Sequence, residues 1–363
     1  QNGNVAERLQ SEGAPDGSCF VRGGHWDSGA NMSAAEVVVL TTFNHYNTTG
    51  FRLAGGAGDT YFWSPNTGAL GGSGQWLNAN WAATQQPNSS RTEPNFSAFD
   101  AAVFAGAGGT VEVGVGGPYF PAVTIPAAGY RFELNNDNAG AIFQGRVTVA
   151  NSGLTQFGNL SNPAGYWSYS FKGGLSVLDG TVEVHGGVRG QGVIEGLSGN
   201  GLLILDLNNQ NRGITLSGNS DFMGIVRLVK GEAWLATATA LGSGLVEIQG
   251  GVLNVQGLSV TNPIRIVESG TVRGLGNQNC EIDVGRWSFT TGEGYTPDEA
   301  KRDLLLGRGD GSWNGTSGIT STVAAADIQA GIVRSVGWKI NPDNSVTVAY
   351  AAPGDTNLDG EVN

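Results

Sequence analysis

Short runs of alternating apolar and polar residues, separated by glycine and asparagine, recur along the middle of the chain. The clearest runs are Leu202–Leu207, 214–216, 225–229, Leu245–Ile248 and 252–255. Alternation turns successive side chains to opposite faces, which is typical of a half-buried strand. Glycine and asparagine tolerate the positive φ angles that tight turns need. Strands this short and this regularly spaced predict coils stacked on one another rather than one closed globule.

The order of residues in this stretch is more specific than its spacing. Four motifs follow one another: 215–219 (TLSGN), Gly224, 240–244 (ALGSG) and 250–254 (GGVLN). Their order resembles the autotransporter-associated β-strand repeat. The resemblance implies a right-handed parallel β-helix in a secreted bacterial surface protein. We therefore predict an all-β fold, a right-handed parallel β-helix (solenoid) over residues 131–290, with short non-solenoid segments at both ends. At about 20 residues per coil, this segment would hold about eight coils.

The N-terminal segment, residues 1–54, carries a second set of motifs. These are 3–7 (GNVAE), 21–26 (VRGGHW) and 50–54 (GFRLA). In this order they resemble the end of the sulfatase-modifying-factor (formylglycine-generating enzyme) fold, so the segment is interpreted as a remnant of such a domain. Catalytic members carry a cysteine pair after the second motif. Here that region has no cysteine and Cys19 precedes the motif, so the resemblance implies a fold and argues against the activity.

Residues 55–130 are predicted to form the entry coil and cap of the β-helix. They contain Trp63, Trp76 and Trp81 around a glycine-rich turn. An open β-helix end would add further strands, so aromatic side chains are expected to cover the exposed end of the core. The alternative is a ligand-binding platform on which the three rings stack against a carbohydrate.

The sequence changes character after residue 290. Residues 291–352 are predicted to form a β-rich C-terminal cap. A short helix is expected over 295–306, with Thr296 as its N-cap and Pro297 in its first turn. The runs 338–340 and 346–350 are expected to pair as strands.

The last residues, 353–363, resemble the start of a dockerin-like calcium loop. Calcium prefers oxygen ligands, and an EF-hand-type loop supplies them at fixed positions. Asp355, Asn357 and Asp359 fit positions 1, 3 and 5, Gly360 fits the sharp turn, and Glu361 would offer its backbone carbonyl. The sequence stops before position 12. We therefore predict a calcium site of about millimolar affinity at best, and no other cofactor.

Composition narrows the class of partner. The chain has 363 residues, 60 of them glycine, with 19 Lys+Arg against 31 Asp+Glu and a net charge of −12. An acidic, lysine-poor surface argues against nucleic acid or an anionic membrane as partner. No apolar run is long enough for a membrane span. Cys19 and Cys280 are too few for a disulfide scaffold and are expected to be small buried residues, with their pairing left open. Because the chain begins with Gln1, either processing or a longer gene product is expected.

The sequence contains no clear catalytic constellation. His25, His45 and His185 lack metal-ligand spacing. The acidic residues of the solenoid are scattered, and a glycosidase or lyase would need them clustered on one face. The leading hypothesis is an extracellular, non-catalytic structural or adhesive protein: a β-helical spacer or surface-layer component at the cell surface. Its partners would be polysaccharide or neighbouring copies of itself. The alternatives are a carbohydrate-binding module and a β-helix polysaccharide lyase or hydrolase, which an acidic ladder on one face would favour.

Overall fold

The chain divides into two compact units, Gln1–Ala57 and Gly58–Asn363. The computed structural model describes residues 60–66, 68–76, 80–85, 101–114, 122–134, 140–158, 168–186, 191–207, 213–274, 280–292 and 295–362, together with strand backbone at 5–9, 19–22, 37–40, 50–52 and 91–92.

The first unit holds a four-stranded sheet. Its strands are β1 (Val5–Leu9), β2 (Cys19–Arg22), β3 (Val37–Leu40) and β4 (Gly50–Arg52). The order is β3-β2-β1-β4, with β1 antiparallel to β2 and parallel to β4. The three N-terminal sequence motifs therefore meet on adjacent strands. Their origin in a formylglycine-type domain stays a prediction.

The second unit is built from short strands and two helices. In chain order these are β5 (Thr60–Trp63), β6 (Gly74–Gln75), β7 (Trp81–Ala82), β8 (Arg91–Thr92), β9 (Ala101–Val103), β10 (Thr110–Val113), β11 (Ala122–Ile125), β12 (Arg131–Leu134), β13 (Gly140–Phe143), β14 (Arg146–Val149), β15 (Leu154–Phe157), β16 (Ser168–Phe171), β17 (Leu175–Val177), β18 (Thr181–Gly186), β19 (Gly192–Glu195), β20 (Leu197–Gly199), β21 (Leu202–Leu207), β22 (Ile214–Ser217), β23 (Ile225–Lys230), β24 (Glu232–Leu235), β25 (Leu245–Ile248), β26 (Val252–Asn254), β27 (Ile264–Ile266), β28 (Thr271–Arg273), β29 (Glu281–Asp283), β30 (Ser288–Thr291), α1 (Pro297–Arg308), β31 (Gly318–Thr320), α2 (Thr322–Gln329), β32 (Ser335–Ile340) and β33 (Val346–Ala351).

These strands form three sheets. The eleven-stranded sheet has the order β6-β10-β12-β15-β18-β21-β23-β25-β27-β29-β31, and the ten-stranded sheet has the order β13-β16-β19-β22-β24-β26-β28-β30-β33-β32. The eight-stranded sheet has the order β20-β17-β14-β11-β9-β5-β7-β8. From β9 to β31, consecutive strands enter different sheets, and each coil returns to pair in parallel with the coil before it. The result is a parallel β-solenoid of about seven turns, which confirms the predicted fold class.

The parallel ladder is longer than the segment predicted for it. It includes β5, β6, β9 and β10 before residue 131 and β31 after residue 290. Within residues 131–290 the eleven-stranded sheet contributes eight strands, from β12 to β29. The coils differ in length: the step from Leu154 to Thr181, the starts of β15 and β18, is much longer than the step from Ile264 to Glu281, the starts of β27 and β29.

The core runs along the inside of the coils. Leu216, Val226, Ile248 and Val255 are all buried, as the alternation predicts. Burying each such side chain contributes about 1.5–3 kcal/mol before the entropy of ordering it is subtracted. At the corners, close coil packing requires glycine. Gly199 has a φ of +101°, and a Cβ atom there would lie 2.0 Å from the carbonyl oxygen of Val177 in the preceding coil.

The C-terminal cap combines predicted and unpredicted elements. Helix α1 begins at Pro297 behind Thr296, which forms a capping box with Glu299, so the predicted helix and its N-cap are confirmed. Strands β32 and β33 pair with each other, as predicted; the pairing is antiparallel, and β33 also pairs with β30. Helix α2 was not predicted from the sequence. Ser321 caps it by accepting a hydrogen bond from the backbone N–H of Ala324.

Candidate functional site

One column of outward-facing side chains runs along the eleven-stranded sheet. Its members are register partners on neighbouring strands. They are Arg131, Gln156, Glu183, Ile204, Arg227, Glu247, Arg265 and Asp283. Register partners lie about 4.8 Å apart, which is close enough for side chains to pair. Charges of opposite sign alternate along this column from Arg227 to Asp283.

Charged side chains of the column form ion pairs with one another. The Oε2 atom of Glu247 lies 2.7 Å from Nη2 of Arg227, and its Oε1 atom lies 3.6 Å from Nη1 of Arg265. Glu247 is only 6% exposed. A buried carboxylate without a partner would destabilise the fold, and the two guanidinium groups offset that cost. At the end of the column, Asp283 accepts hydrogen bonds from the backbone N–H and the hydroxyl of Thr322, the first residue of α2.

His185 lies between two carboxylates beside the same column. Its Nε2 atom is 3.2 Å from Glu183, and its Nδ1 atom is 3.6 Å from Asp206. Burial alone would lower the pKa of His185, but the hydrogen bonds and charges of Asp206 and Glu183 outweigh it and raise the pKa above its ordinary value. The hydrogen bond from His185 lowers the pKa of Asp206 in turn. Gln156 donates a further hydrogen bond of 2.7 Å to Glu183.

An acidic ladder on one face would have favoured a lyase or hydrolase. On the described strands of the eleven-stranded sheet, Glu183, Asp206 and Glu247 instead each face a cationic, imidazole or amide partner. Glu232 lies on the ten-stranded sheet, so it does not share a surface with Glu183, Asp206 and Glu247. A glycosidase needs two carboxylates flanking a substrate, with one protonated as acid. The arrangement described here is a set of compensated pairs.

The three tryptophans considered as a ligand platform lie in the core. Trp63, Trp76 and Trp81 are at most 1% exposed and surround Phe104, with ring centroids 5.2–5.6 Å from that ring. The indole N–H of Trp63 donates to the carbonyl of Gly72, and that of Trp81 donates to the carbonyl of Trp76. Sugar stacking requires an exposed ring face, so this burial is incompatible with the platform. The rings instead fill the core of the first coils.

The C-terminal loop brings its predicted calcium ligands together. The backbone N–H of Asp359 lies 3.3 Å from Oδ1 of both Asp355 and Asn357. The other carboxylate oxygen of Asp355 accepts from the N–H of Gly360, and Asp359 accepts from the N–H of Glu361. Gly360 has a φ of +93°, as its position in the sharp turn requires. The loop thus wraps around the Asp355 carboxylate with the side-chain oxygen of Asn357 beside it, while Nδ2 of Asn357 donates to Oδ2 of Asp359 at 2.7 Å. Carboxylate and amide oxygens are the type of ligand that calcium prefers.

A third surface was not identified from the sequence. Trp234 on β24 alternates with the buried residues Ala233 and Leu235, so its ring faces outward from the ten-stranded sheet and is partly exposed. Its register partner on β26 is Asn254, whose partner on β28 is Arg273. The signal was an aromatic residue at a polar position of the alternation.

The described residues do not support a reactive cysteine or a metal centre. Cys280 is buried as a free thiol, and burial raises its pKa to about 11, so it stays protonated and unreactive. The side chain of Cys19 lies outside the described residues. Among the described side chains, no group of three or more His, Cys, Asp or Glu is placed to hold a metal. Neither helix that the structure describes has the length and apolar content to cross a membrane.

Comparisons with protein-family models, with curated proteins and with solved structures found no match to this chain.

Proposed function

We propose that this chain is a non-catalytic structural or adhesive protein of a bacterial cell surface, in which the solenoid serves as a stiff extracellular spacer. The observation that carries the proposal is the parallel ladder of the eleven-stranded sheet, which runs from β6 to β31 without a break in pairing. Its polar side chains bind one another rather than converging on a substrate-sized site. The extracellular setting is supported by the repeat resemblance and the acidic, lysine-poor composition.

A stacked ladder has the mechanical properties that a spacer needs. Each coil contacts only its neighbours, so length grows by about 4.8 Å for each coil added. Eleven strands make this sheet roughly 50 Å long. Compensated pairs such as Arg227–Glu247 keep the outer face polar.

A spacer should tolerate the removal of one whole coil. Deleting residues 225–244 joins Gly224 to Leu245 and replaces β23 by β25, which is its register partner. We expect this variant to fold and unfold cooperatively, as judged by circular dichroism on heating. Deleting residues 225–239 is the matched control, because it brings corner residues into strand positions and should abolish the fold. An in-phase deletion that fails to fold would contradict interchangeable coils.

The cellular setting is tested separately. In an expressing bacterium, an added protease or an antibody should reach the chain on intact cells. Protection until the cells are lysed would overturn the surface role without affecting the deletion result.

We also propose that the C-terminal loop holds calcium. Side-chain oxygens of Asp355, Asn357 and Asp359 would bind the ion, with the backbone carbonyl of Glu361 as a further ligand. The convergence around Asp355 supports this proposal, while the hydrogen bond of 2.5 Å from Lys339 Nζ to the Asn357 carbonyl places a positive charge beside the loop. That charge opposes cation binding and fits a weak site.

A further inference from the structure

The outward face of the ten-stranded sheet presents an aromatic ring among fixed polar groups. Trp234 is flanked in register by Thr215 on one side and Asn254 on the other. An indole ring that is partly exposed on a sheet surface offers a flat apolar face while the backbone beneath stays rigid. Such a face suits a partner that is itself flat and apolar on one side and polar at its rim.

The polar groups beside the ring are held in place by one carboxylate. Glu232 lies on the same strand as Trp234, and its Oε1 atom accepts hydrogen bonds from Nδ2 of Asn254 at 3.0 Å and Nη1 of Arg273 at 3.3 Å. Arg273 lies two strands from Trp234, or roughly 10 Å. Its side chain is 44% exposed, so it can still donate to a partner. The donors and acceptors are therefore preorganised before any ligand arrives.

A groove continues from this network toward the C-terminal hairpin. It has a volume of about 690 Å³ and includes Arg273 in its lining. Its lining includes Thr271, Thr290 and Thr296, together with Asp343, Asn344 and Ser345 of the turn between β32 and β33. Register pairs Thr271 with Thr290, so the groove begins on the same outer face as Glu232 and Val252. Its size is within the range of ligand pockets.

We propose that this face binds a neutral saccharide chain, with one sugar ring stacked on Trp234 and the following units directed along Asn254 and Arg273 into the groove. Hydroxyl and amide groups match a polyhydroxylated ligand, and the indole matches the apolar face of a pyranose. A phosphate-bearing polymer fits poorly, because Glu232 offsets the charge of Arg273 and the chain carries a net charge of −12. The proposal goes beyond the spacer role and does not depend on it, since it needs only the described face.

The test is affinity electrophoresis of the full chain in native gels containing one polysaccharide each. The neutral gels are hydroxyethylcellulose, xylan, galactomannan and mixed-linkage β-glucan, and the anionic gels are alginate and polygalacturonate. We expect retardation in at least one neutral gel, unchanged when salt is raised, because neutral ligands are not screened. Trp234→Ala should weaken the apparent affinity by about tenfold or more, and Trp234→Phe by less.

Trp338→Ala is the matched control. Trp338 lies on the same sheet, but its cross-strand partner Val348 is buried in the core, so it faces the other side. This variant should keep the retardation. Glu232→Gln, which keeps the shape of the side chain, should weaken binding without loss of the fold, as checked by thermal unfolding.

Three results would overturn the proposal. One is no retardation in any neutral gel. Another is equal retardation of the wild-type chain and Trp234→Ala. The third is retardation only in anionic gels that disappears with salt, which would indicate a charge-driven surface instead.

Discussion

Asn151 offers a quantitative test of how neighbouring coils are joined. It lies at the corner between β14 and β15 and is 8% exposed. Its Nδ2 atom donates to the carbonyls of Ile125 at 3.0 Å and Ala127 at 3.2 Å in the preceding coil. Its Oδ1 atom accepts from the backbone N–H of Gly153 at 3.0 Å. One amide side chain therefore connects two coils and closes its own turn.

The cost of removing this amide can be worked from the partners it leaves behind. The substitution Asn151→Ala removes a partner from two carbonyls, the Thr155 hydroxyl and one N–H, and each buried loss costs about 1–3 kcal/mol. The Ile125 carbonyl keeps a second donor, because the N–H of Ala150 also reaches it at 3.0 Å. Water can reach a corner that is 8% exposed. We therefore expect a net loss of about 2–4 kcal/mol.

The substitution Asn151→Asp separates hydrogen bonding from size. It keeps the acceptor for Gly153 but turns a carboxylate oxygen toward the carbonyls of Ile125 and Ala127. At neutral pH this repulsion should make Asn151→Asp less stable than Asn151→Ala by about 1–2 kcal/mol. Below about pH 4 the carboxyl is protonated and can donate a hydrogen bond, so the stability difference between the two variants should become smaller or change sign.

The assay is equilibrium unfolding in urea, followed by fluorescence of the buried tryptophans and compared at the midpoint, because solenoids need not unfold in one step. Ser152→Ala, an exposed neighbour, is the control and should stay within about 0.5 kcal/mol of the wild-type chain. If Asn151→Asp is as stable as Asn151→Ala at neutral pH, or more stable, the amide does not join the coils in this way.

Two further predictions concern charge. Calorimetry should find calcium binding no tighter than about millimolar, because the Lys339 ammonium lies beside the loop, and Asp355→Ala should remove it; micromolar binding would contradict a weak site. The raised pKa of His185 contributes stability that is fully present below its ordinary value of 6.5 and is lost as pH rises through the folded value. The lowered pKa of Asp206 contributes stability above its ordinary value of 3.8 that is lost as pH falls through the folded value. Thermal midpoints from pH 3 to pH 8 should therefore peak between these limits, and His185→Gln should flatten the upper slope; an unchanged slope would mean that the imidazole is not linked to folding.

Local rules were enough to predict much of this architecture. The alternation of apolar and polar residues identified the inward side chains of β22, β23 and β25, because side chains of a strand alternate with a period of two whatever the partner strand is. The capping chemistry of Thr296 and Pro297 identified α1, because an N-cap satisfies backbone groups within one turn. Glycine-rich corners indicated stacked coils, because glycine tolerates the positive φ angles that tight turns need.

Register between coils was decided only by the tertiary structure. The pairing of Arg227 with Glu247 and the placement of Trp234 beside Asn254 depend on which residues of successive coils become neighbours. Because the coils differ in length, sequence spacing alone does not determine that register. For the same reason the sequence does not decide whether Trp63, Trp76 and Trp81 pack in the core or form an exposed ligand-binding platform. A ring at a strand end is core or surface according to what packs over it, and the aromatic residue that packs there, Phe104, lies well beyond them along the chain.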